Sequence, residues 1–203
     1  MKKKPKRKVL PIIVIVVIFI IGVFIVVKQE FFKNKQAEIK VLTTIEKYNY
    51  TLDDNESEIY KKYFEDLEKC LKENDVNLNE YISLVAKLFA IDFYTLNNKI
   101  TNKDIGGVQF LKEDLQENFA LKASNTMYKY IESNIYGKRK QKLPEVKDVI
   151  VSNISETTID KKIAYLVEVS IEYVKDMKYP TKILLTMVNE NDKINIVVIK
   201  EVV

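Results

Sequence analysis

The spacing of apolar residues divides the chain into three parts. Residues 9–27 form an unbroken apolar run of 19 residues without a charged side chain. From residue 28 to residue 135, apolar positions recur mainly every three or four residues, which is the period of amphipathic helices. From residue 146 onward, apolar and polar positions alternate as they do in β-strands. The pattern therefore predicts an apolar N-terminal helix followed by an α+β domain.

The helical period predicts a stalk over residues 28–48 and a first domain helix after it. Asp53, Asp54 or Asn55 can cap that first helix, because each carries a side-chain oxygen that accepts a hydrogen bond from a free backbone N–H. The predicted core face of this helix carries apolar residues at spacings of three and four: Ile59, Tyr60, Tyr63, Phe64, Leu67, Cys70 and Leu71.

Two more helices are predicted before the strands. The second domain helix follows Asn77 or Asn79 as its cap. The third covers residues 112–135, where apolar residues repeat every four positions. Gly137 can end this helix, because glycine readily adopts the left-handed conformation that closes a helix.

Gly106 and Gly107 form the only pair of adjacent glycines in the sequence. Such a pair permits positive φ angles or a close approach between backbone segments. The β-branched and aromatic residues around the pair favour two short extended segments within residues 91–111. We interpret the pair as a structural turn, because a phosphate-binding loop would need more glycines and a helix that begins after a strand.

The C-terminal part is predicted to form an antiparallel meander of four strands. Its clearest strand covers residues 163–173, where every odd position is apolar. Turn-forming segments separate it from three further strands, which are predicted at residues 146–154, 181–189 and 193–203. The apolar face of this sheet is expected to pack against the three helices.

The apolar run and its basic flank predict a membrane anchor. A hydrocarbon core about 30 Å thick is spanned by ~20 apolar helical residues, and six of the first eight residues are Lys or Arg, which holds the N-terminus in the cytoplasm. No small-residue cleavage site follows the run, so an uncleaved anchor is favoured over a signal peptide. The predicted parts are a cytoplasmic tail (residues 1–8), a transmembrane anchor (residues 9–27), a helical stalk (residues 28–48) and an extracellular domain (residues 49–203).

Composition narrows the chemistry of the exported part. The first eight residues carry six of the 33 Lys and Arg side chains, so the remaining 27 face 29 carboxylates, a net charge of −2. This balance argues against a nucleic-acid partner. The chain has no histidine and a single cysteine, Cys70, so a zinc site, a histidine-based charge relay and an intramolecular disulfide are not expected. The preference for Lys over Arg suggests an AT-rich bacterial genome.

The predicted order of elements resembles the nuclear transport factor 2-like fold over residues 55–203. The resemblance rests on two helices, a short extended pair around Gly106 and Gly107, a third helix and four antiparallel strands. In that family a curved sheet wraps a long helix into a cone with a pocket. Its extracytoplasmic members include membrane-anchored scaffold subunits of bacterial conjugation and type IV secretion systems. The resemblance implies helices packed on a curved antiparallel sheet of four or more strands.

Enzymes of that superfamily use Asp, His or Tyr side chains inside the cone, so the resemblance implies Asp92, Tyr94 and Tyr165 as possible pocket residues. A buried Asp92 could act as a general base, because desolvation raises the pKa of a carboxyl group. Alternatively, its carboxylate binds the backbone of the nearby turn. We assign no catalytic residue, no cofactor and no metal ligand, and an enzymatic activity is not the favoured interpretation.

The favoured function is a binding or assembly module on a single-pass membrane protein, held in the lipid bilayer through residues 9–27. Residues 181–189 and 194–199 carry apolar side chains on both faces, so a protein partner or a second copy is expected on the face that the helices leave free. Membership in the scaffold of a membrane complex follows by analogy alone. The alternative is a small-molecule-binding domain or an atypical enzyme that uses the cone cavity.

Overall fold

The structure is a computed structural model that describes residues 39–202. The predicted cytoplasmic tail, the anchor at 9–27 and the first part of the stalk lie outside these residues. Among the helices of residues 39–202, none is both long enough and apolar enough to cross a bilayer. The predicted class is confirmed, since three helices pack against an antiparallel sheet of four strands.

The chain begins with a hairpin, continues with three helices and ends with four strands. The hairpin consists of β1 (Val41–Ile45) and β2 (Tyr50–Asp53), and the helices are α1 (Glu58–Lys72), α2 (Leu78–Tyr94) and α3 (Glu113–Asn125). Short 3₁₀ helices occupy Glu46–Tyr48 and Val108–Phe110. The four strands of the large sheet are β3 (Val146–Ile159), β4 (Lys162–Tyr173), β5 (Lys182–Glu190) and β6 (Lys193–Glu201).

The large sheet is the predicted meander, with strand order β3-β4-β5-β6 and antiparallel pairing throughout. Its β3–β4 turn is shorter than predicted, because β3 extends to Ile159 and only Asp160 and Lys161 remain unpaired. Both residues have positive φ angles, 48° and 65°, as the tight turns of twisted hairpins require. The face toward the helices buries alternate residues of three strands: Val167, Val169, Ile171, Ile183, Leu185, Met187, Ile194 and Ile196.

Helices α1 and α2 bury the predicted apolar faces. The core face of α1 is confirmed, with Tyr60, Phe64, Leu67 and Cys70 buried. Its cap is Ser57 rather than a residue of the 53–55 segment, because Asp53 ends β2 and the hydroxyl of Ser57 accepts a hydrogen bond from the backbone N–H of Tyr60 at 3.3 Å. The cap of α2 is Asn77, as predicted.

The stalk prediction is wrong for the described part of residues 28–48. Val41–Ile45 is a strand that pairs with Tyr50–Asp53, and Asn49 closes the hairpin in the left-handed conformation with φ 53°. The segment VLTTI contains four β-branched residues, which favour a strand over a helix once a pairing partner is present. The folded domain therefore begins before the predicted boundary at residue 49.

Helix α3 is shorter than predicted, since it ends at Asn125 and not near residue 135. The hydroxyl of Ser124 and the side-chain amide of Asn125 both donate to the carbonyl oxygen of Leu121 at 2.9 Å. The hydroxyl of Thr126 donates to the carbonyl oxygen of Lys122 at 2.8 Å. These side chains satisfy carbonyls of the last turn and compete with the backbone bonds that would extend the helix. Gly137, the predicted end, has φ 64° outside any helix.

The two extended segments predicted around the glycine pair are absent from the described fold. Asp92 belongs to α2, and Val108–Phe110 is a 3₁₀ helix. The one strand-like pairing within residues 91–111 is the isolated parallel bridge between Leu111 and Ile196 of β6. The predicted order of elements therefore holds for the three helices and the four strands, but not for this extended pair.

Candidate functional site

An apolar groove lies between α3 and the C-terminal half of β6, and we call it the α3–β6 groove. Its volume is about 790 Å³. The groove is lined by residues from α2, α3, the segment after α3, and β6, chiefly Phe93, Tyr94, Leu115, Phe119, Met127, Val197 and Ile199.

Aromatic rings form the floor of the α3–β6 groove. The ring centroid of Phe93 lies 5.0 Å from that of Phe119 and 4.9 Å from that of Tyr94. Leu115 and Phe119 stand four residues apart and therefore share one face of α3. The packed rings give the groove a floor made of side chains that α2 and α3 already hold in place.

One wall of the groove is the edge of the large sheet. Within residues 39–202, β6 pairs with β5 on one side, and on the other side it meets only the short segment at Leu111. The N–H of Val202 donates to the carbonyl of Lys182 at 3.0 Å, which fixes the hydrogen-bonded register of the antiparallel pair. In this register, Ile199 and Glu201 point their backbone N–H and C=O groups away from β5, and no described residue bonds to them there.

Polar groups lie at the rim of the groove. Lys122 and Lys200 contribute positive charge, and Glu201 contributes a carboxylate that accepts a hydrogen bond from the hydroxyl of Tyr94 at 3.4 Å. Burial, followed by the negative charge of Glu201, raises the pKa of Tyr94 above its ordinary value. Tyr94 therefore remains a neutral hydrogen-bond donor at the edge of an otherwise apolar surface.

The structure does not bring the three predicted pocket residues together. Tyr94 lines the α3–β6 groove, whereas Asp92 does not. Tyr165 is 8% exposed and lines a separate depression at the turn-proximal ends of β4 and β5.

Asp92 instead belongs to a buried cluster of three ionisable residues, which we call the ionic cluster: Glu56, Asp92 and Lys99. Lys99 is 2% exposed, Asp92 6% and Glu56 9%. The ammonium of Lys99 donates to Oδ1 of Asp92 and lies 3.6 Å from Oε1 of Glu56. None of the three residues lines the α3–β6 groove, so the cluster is part of the core.

The ionic cluster contains two carboxyl groups and one ammonium group. Burial, followed by the negative charge of Asp92, raises the pKa of Glu56 to about 8. Burial lowers the pKa of Lys99, but the charges of Asp92 and Glu56 outweigh this effect and raise it above the ordinary value. At neutral pH the cluster therefore holds one protonated carboxyl group and one ion pair, so it buries no net charge.

Asp92 also binds the glycine turn, which is the alternative role that the sequence suggested for it. Its Oδ2 accepts a hydrogen bond from the N–H of Gly107 at 2.6 Å, and Gly107 has φ 75°. The N–H of Gly106 donates to the hydroxyl of Tyr128 at 3.3 Å, and that hydroxyl donates to the carbonyl of Phe93 at 2.7 Å. These bonds connect the ionic cluster and the turn to the aromatic floor of the groove.

A second, polar depression of about 950 Å³ lies beside the β1–β2 turn and the start of α3. Its charged side chains largely pair with one another. Lys112 lies 3.5 Å from Glu190 and 3.8 Å from Asp114, and Lys47 of the lining lies 3.6 Å from the neighbouring Asp192. The depression therefore offers no excess of one charge to a ligand.

No known protein family, curated protein or solved structure matches this chain.

We predict that Glu56→Gln removes a pH dependence of stability. Folded Glu56 keeps a proton that the unfolded chain releases above its ordinary pKa of 4.5. The free energy of unfolding of the wild-type chain therefore falls as pH rises from 4.5 to about 8. Glutamine mimics the protonated carboxyl group, so thermal unfolding of the full chain in detergent should show a variant that melts ~3 °C or more above wild type at the upper end of this window.

The control for this prediction is Glu65→Gln, because Glu65 is an exposed residue of α1. Its melting temperature should follow the wild-type pH profile. A Glu56→Gln variant with the same pH profile as wild type would contradict a protonated Glu56 in the folded domain.

We also predict that Gly106→Ala destabilises the fold severely. A Cβ atom at residue 106 would overlap the carbonyl oxygen and the carboxylate of Asp92, so the turn must move, at a cost of about 2–4 kcal/mol of unfolding free energy. A Cβ atom at Gly137 meets no atom within 4 Å, and Gly137→Ala should cost only ~1 kcal/mol through its positive φ. Urea unfolding of both variants measures the difference, and equal losses would refute the close approach at Gly106.

Proposed function

We propose that this chain is a single-pass membrane protein whose extracellular domain binds an extended segment of a protein partner in the α3–β6 groove. The observation that carries this proposal is an open sheet edge beside an apolar groove. A peptide that adds a strand to β6 gains backbone hydrogen bonds from the edge and side-chain contacts from the groove at the same time.

The backbone of β6 supports recognition of an extended segment. Ile199 and Glu201 each offer one donor and one acceptor toward the groove, so a strand opposite them can form up to four backbone hydrogen bonds. These bonds do not depend on the side chains of the incoming segment. They set its conformation and direction, whereas the groove selects its side chains.

The lining of the groove supports recognition of apolar side chains. Alternate residues of an added strand would point toward Leu115 and Phe119, where burial contributes roughly 25 cal/mol for each Å² of apolar surface removed from water. Lys122 at the rim favours a carboxylate near the apolar residues. The expected partner segment is therefore extended, apolar at alternate positions and acidic at one end.

Membrane display of this groove is supported by the sequence alone. The apolar run at residues 9–27 would hold the chain in the bilayer, and the basic residues 2–8 would keep its N-terminus in the cytoplasm. In this arrangement the groove faces partners outside the cell membrane. A role as a scaffold subunit of a membrane complex, as in the secretion-system proteins that the chain resembles, is the narrower form of the proposal.

The alternative, a small-molecule-binding domain or an atypical enzyme, has less support. Of its three candidate residues, only Tyr94 lines the groove, and the hydroxyl of Tyr94 already binds Glu201. Asp92 is paired with Lys99 in the core, where a substrate has no access to it.

The partner is identified by photo-crosslinking in the cells that produce the chain. A benzoylphenylalanine in place of Leu115 faces the groove, and one in place of Glu117 lies on the exposed side of the same helix. We expect a partner adduct from position 115 and none from position 117. Mass spectrometry of the adduct gives the segment that is bound.

The backbone mode is then tested on a synthetic peptide of that segment. Ile199→Pro removes the N–H that points into the groove and leaves the β5 side of the ladder intact. Ile199→Ala shortens the side chain but keeps the N–H. We expect roughly tenfold weaker peptide binding for proline than for alanine by fluorescence polarisation. Equal affinities would exclude strand addition at this edge.

The predicted orientation is tested by protease treatment of intact cells that carry the chain with a C-terminal epitope tag. Extracellular display predicts loss of the tag from intact cells. A cytoplasmic protein with the same tag is the control and should resist cleavage until the cells are lysed. Protection of the chain in intact cells would overturn the orientation and leave the groove without an extracellular partner.

A further inference from the structure

The sheet has a second face that points away from the helices, and we call it the outer sheet face. The register of β4, β5 and β6 alternates except at the extra residue Val197, so the residues between the core positions of each strand lie on this face. They are Ala164, Leu166, Glu168, Ser170, Leu184, Thr186, Val188, Asn195, Val198 and Lys200.

The outer sheet face is more apolar than a face in contact with water requires. Five of its ten residues are apolar, and none of the five belongs to the cluster that packs between the sheet and the helices. Ala164 and Val188 are buried among their neighbours, whereas the other three apolar residues remain accessible. Val198 is 47% exposed, and Leu166 and Leu184 are half-buried. Accessible apolar side chains on neighbouring strands of one sheet face are typical of an interaction surface.

Two charges of opposite sign flank the apolar centre of the face. The register places Glu168 opposite Leu184 on β5, and Leu184 opposite Lys200 on β6. The two charged residues therefore stand two strand spacings apart, about 10 Å. Neither side chain forms an ion pair within residues 39–202, so each is available to a charge on another molecule.

We propose that the outer sheet face is the interface between two copies of this chain. A two-fold axis that runs along β5, between two facing sheets, places β4 of one copy over β6 of the other. Glu168 of each copy then meets Lys200 of the other, and Leu166 packs on Val198. Leu184, which is half-buried, faces its equivalent across a gap of about 10 Å, the normal distance between packed sheets.

The charge pattern favours a second copy over a different partner. A face with one acidic and one basic residue on either side of an apolar centre is complementary to itself under a two-fold rotation, as an isologous interface requires. A lipid surface would instead favour an excess of positive charge. Lys182, at the margin of the face, has a flexible side chain that can keep its ammonium group in water.

Charge exchange tests the interface in the full chain, purified in detergent and measured by light scattering across a concentration series. Glu168→Lys places two positive charges against each other at both ends of the interface and should weaken the dimer roughly tenfold or more. The double variant Glu168→Lys with Lys200→Glu restores both opposite pairs and should recover affinity close to wild type. Glu65→Lys makes the same change in net charge on α1 and should leave the dimer unchanged.

Zero-length carbodiimide crosslinking tests the same contact without a substitution. A mixture of isotopically heavy and light wild-type chains should give a Glu168–Lys200 crosslink that joins one heavy and one light peptide. The proposal is overturned by a monomeric wild-type chain, by a dimer that Glu168→Lys does not weaken, by a double variant that fails to recover, or by crosslinks confined to peptides of one label.

Discussion

The carboxylate of Asp92 makes the contacts on which the arrangement of the domain depends. One of its oxygens accepts a hydrogen bond from Lys99, and the other accepts one from the backbone N–H of Gly107. These bonds join the last turn of α2 to the segment that leads into α3. Because Lys99 also lies near Glu56, the N-terminal end of α1 is held at the same point. Three segments that are distant in sequence thus share one neutralised cluster of charges.

The position of the glycine turn determines where the groove can form. Gly107 precedes a 3₁₀ helix that places Gln109 beside the hairpin. The side-chain oxygen of Gln109 accepts a hydrogen bond from the N–H of Thr51 at 2.7 Å, and its side-chain nitrogen donates one to the carbonyl of Thr51 at 3.0 Å. Two residues later, Leu111 meets Ile196 at the edge of the sheet. Helix α3 then leaves the edge at Glu113, and the space between the helix and the remaining part of β6 is the α3–β6 groove.

The sequence predicted the elements that depend on local periodicity, and it failed where distant residues decide. The meander could be predicted because alternation over residues 163–173 specifies a strand by itself. The ionic cluster could not be predicted from the sequence, because Lys99 lies in a polar segment and Glu56 precedes a helix. Neither residue belongs to a periodic pattern. Of the cluster, only Asp92 was singled out. The sequence predicts a helical stalk at Val41–Ile45, because its β-branched residues specify a strand only when β2 is there to pair with them.

The two edges of the large sheet differ in a way that bears on which of them binds a partner. Strand β3 has irregular pairing at two points, between Val146 and Asp148 and between Val151 and Asn153, and such bulges twist an edge away from further strand pairing. In β6 the single irregularity is the extra residue Val197, since Thr186 pairs with Val198 and Met187 pairs with Ile196. From Val198 to Glu201 the pairing with β5 is regular. Ile199 and Glu201 therefore present a regular edge. An exposed regular edge can pair with strands of other molecules and so lead to aggregation. Helix α3 lies beside this edge, so that only a single extended segment that fits the groove can pair with it.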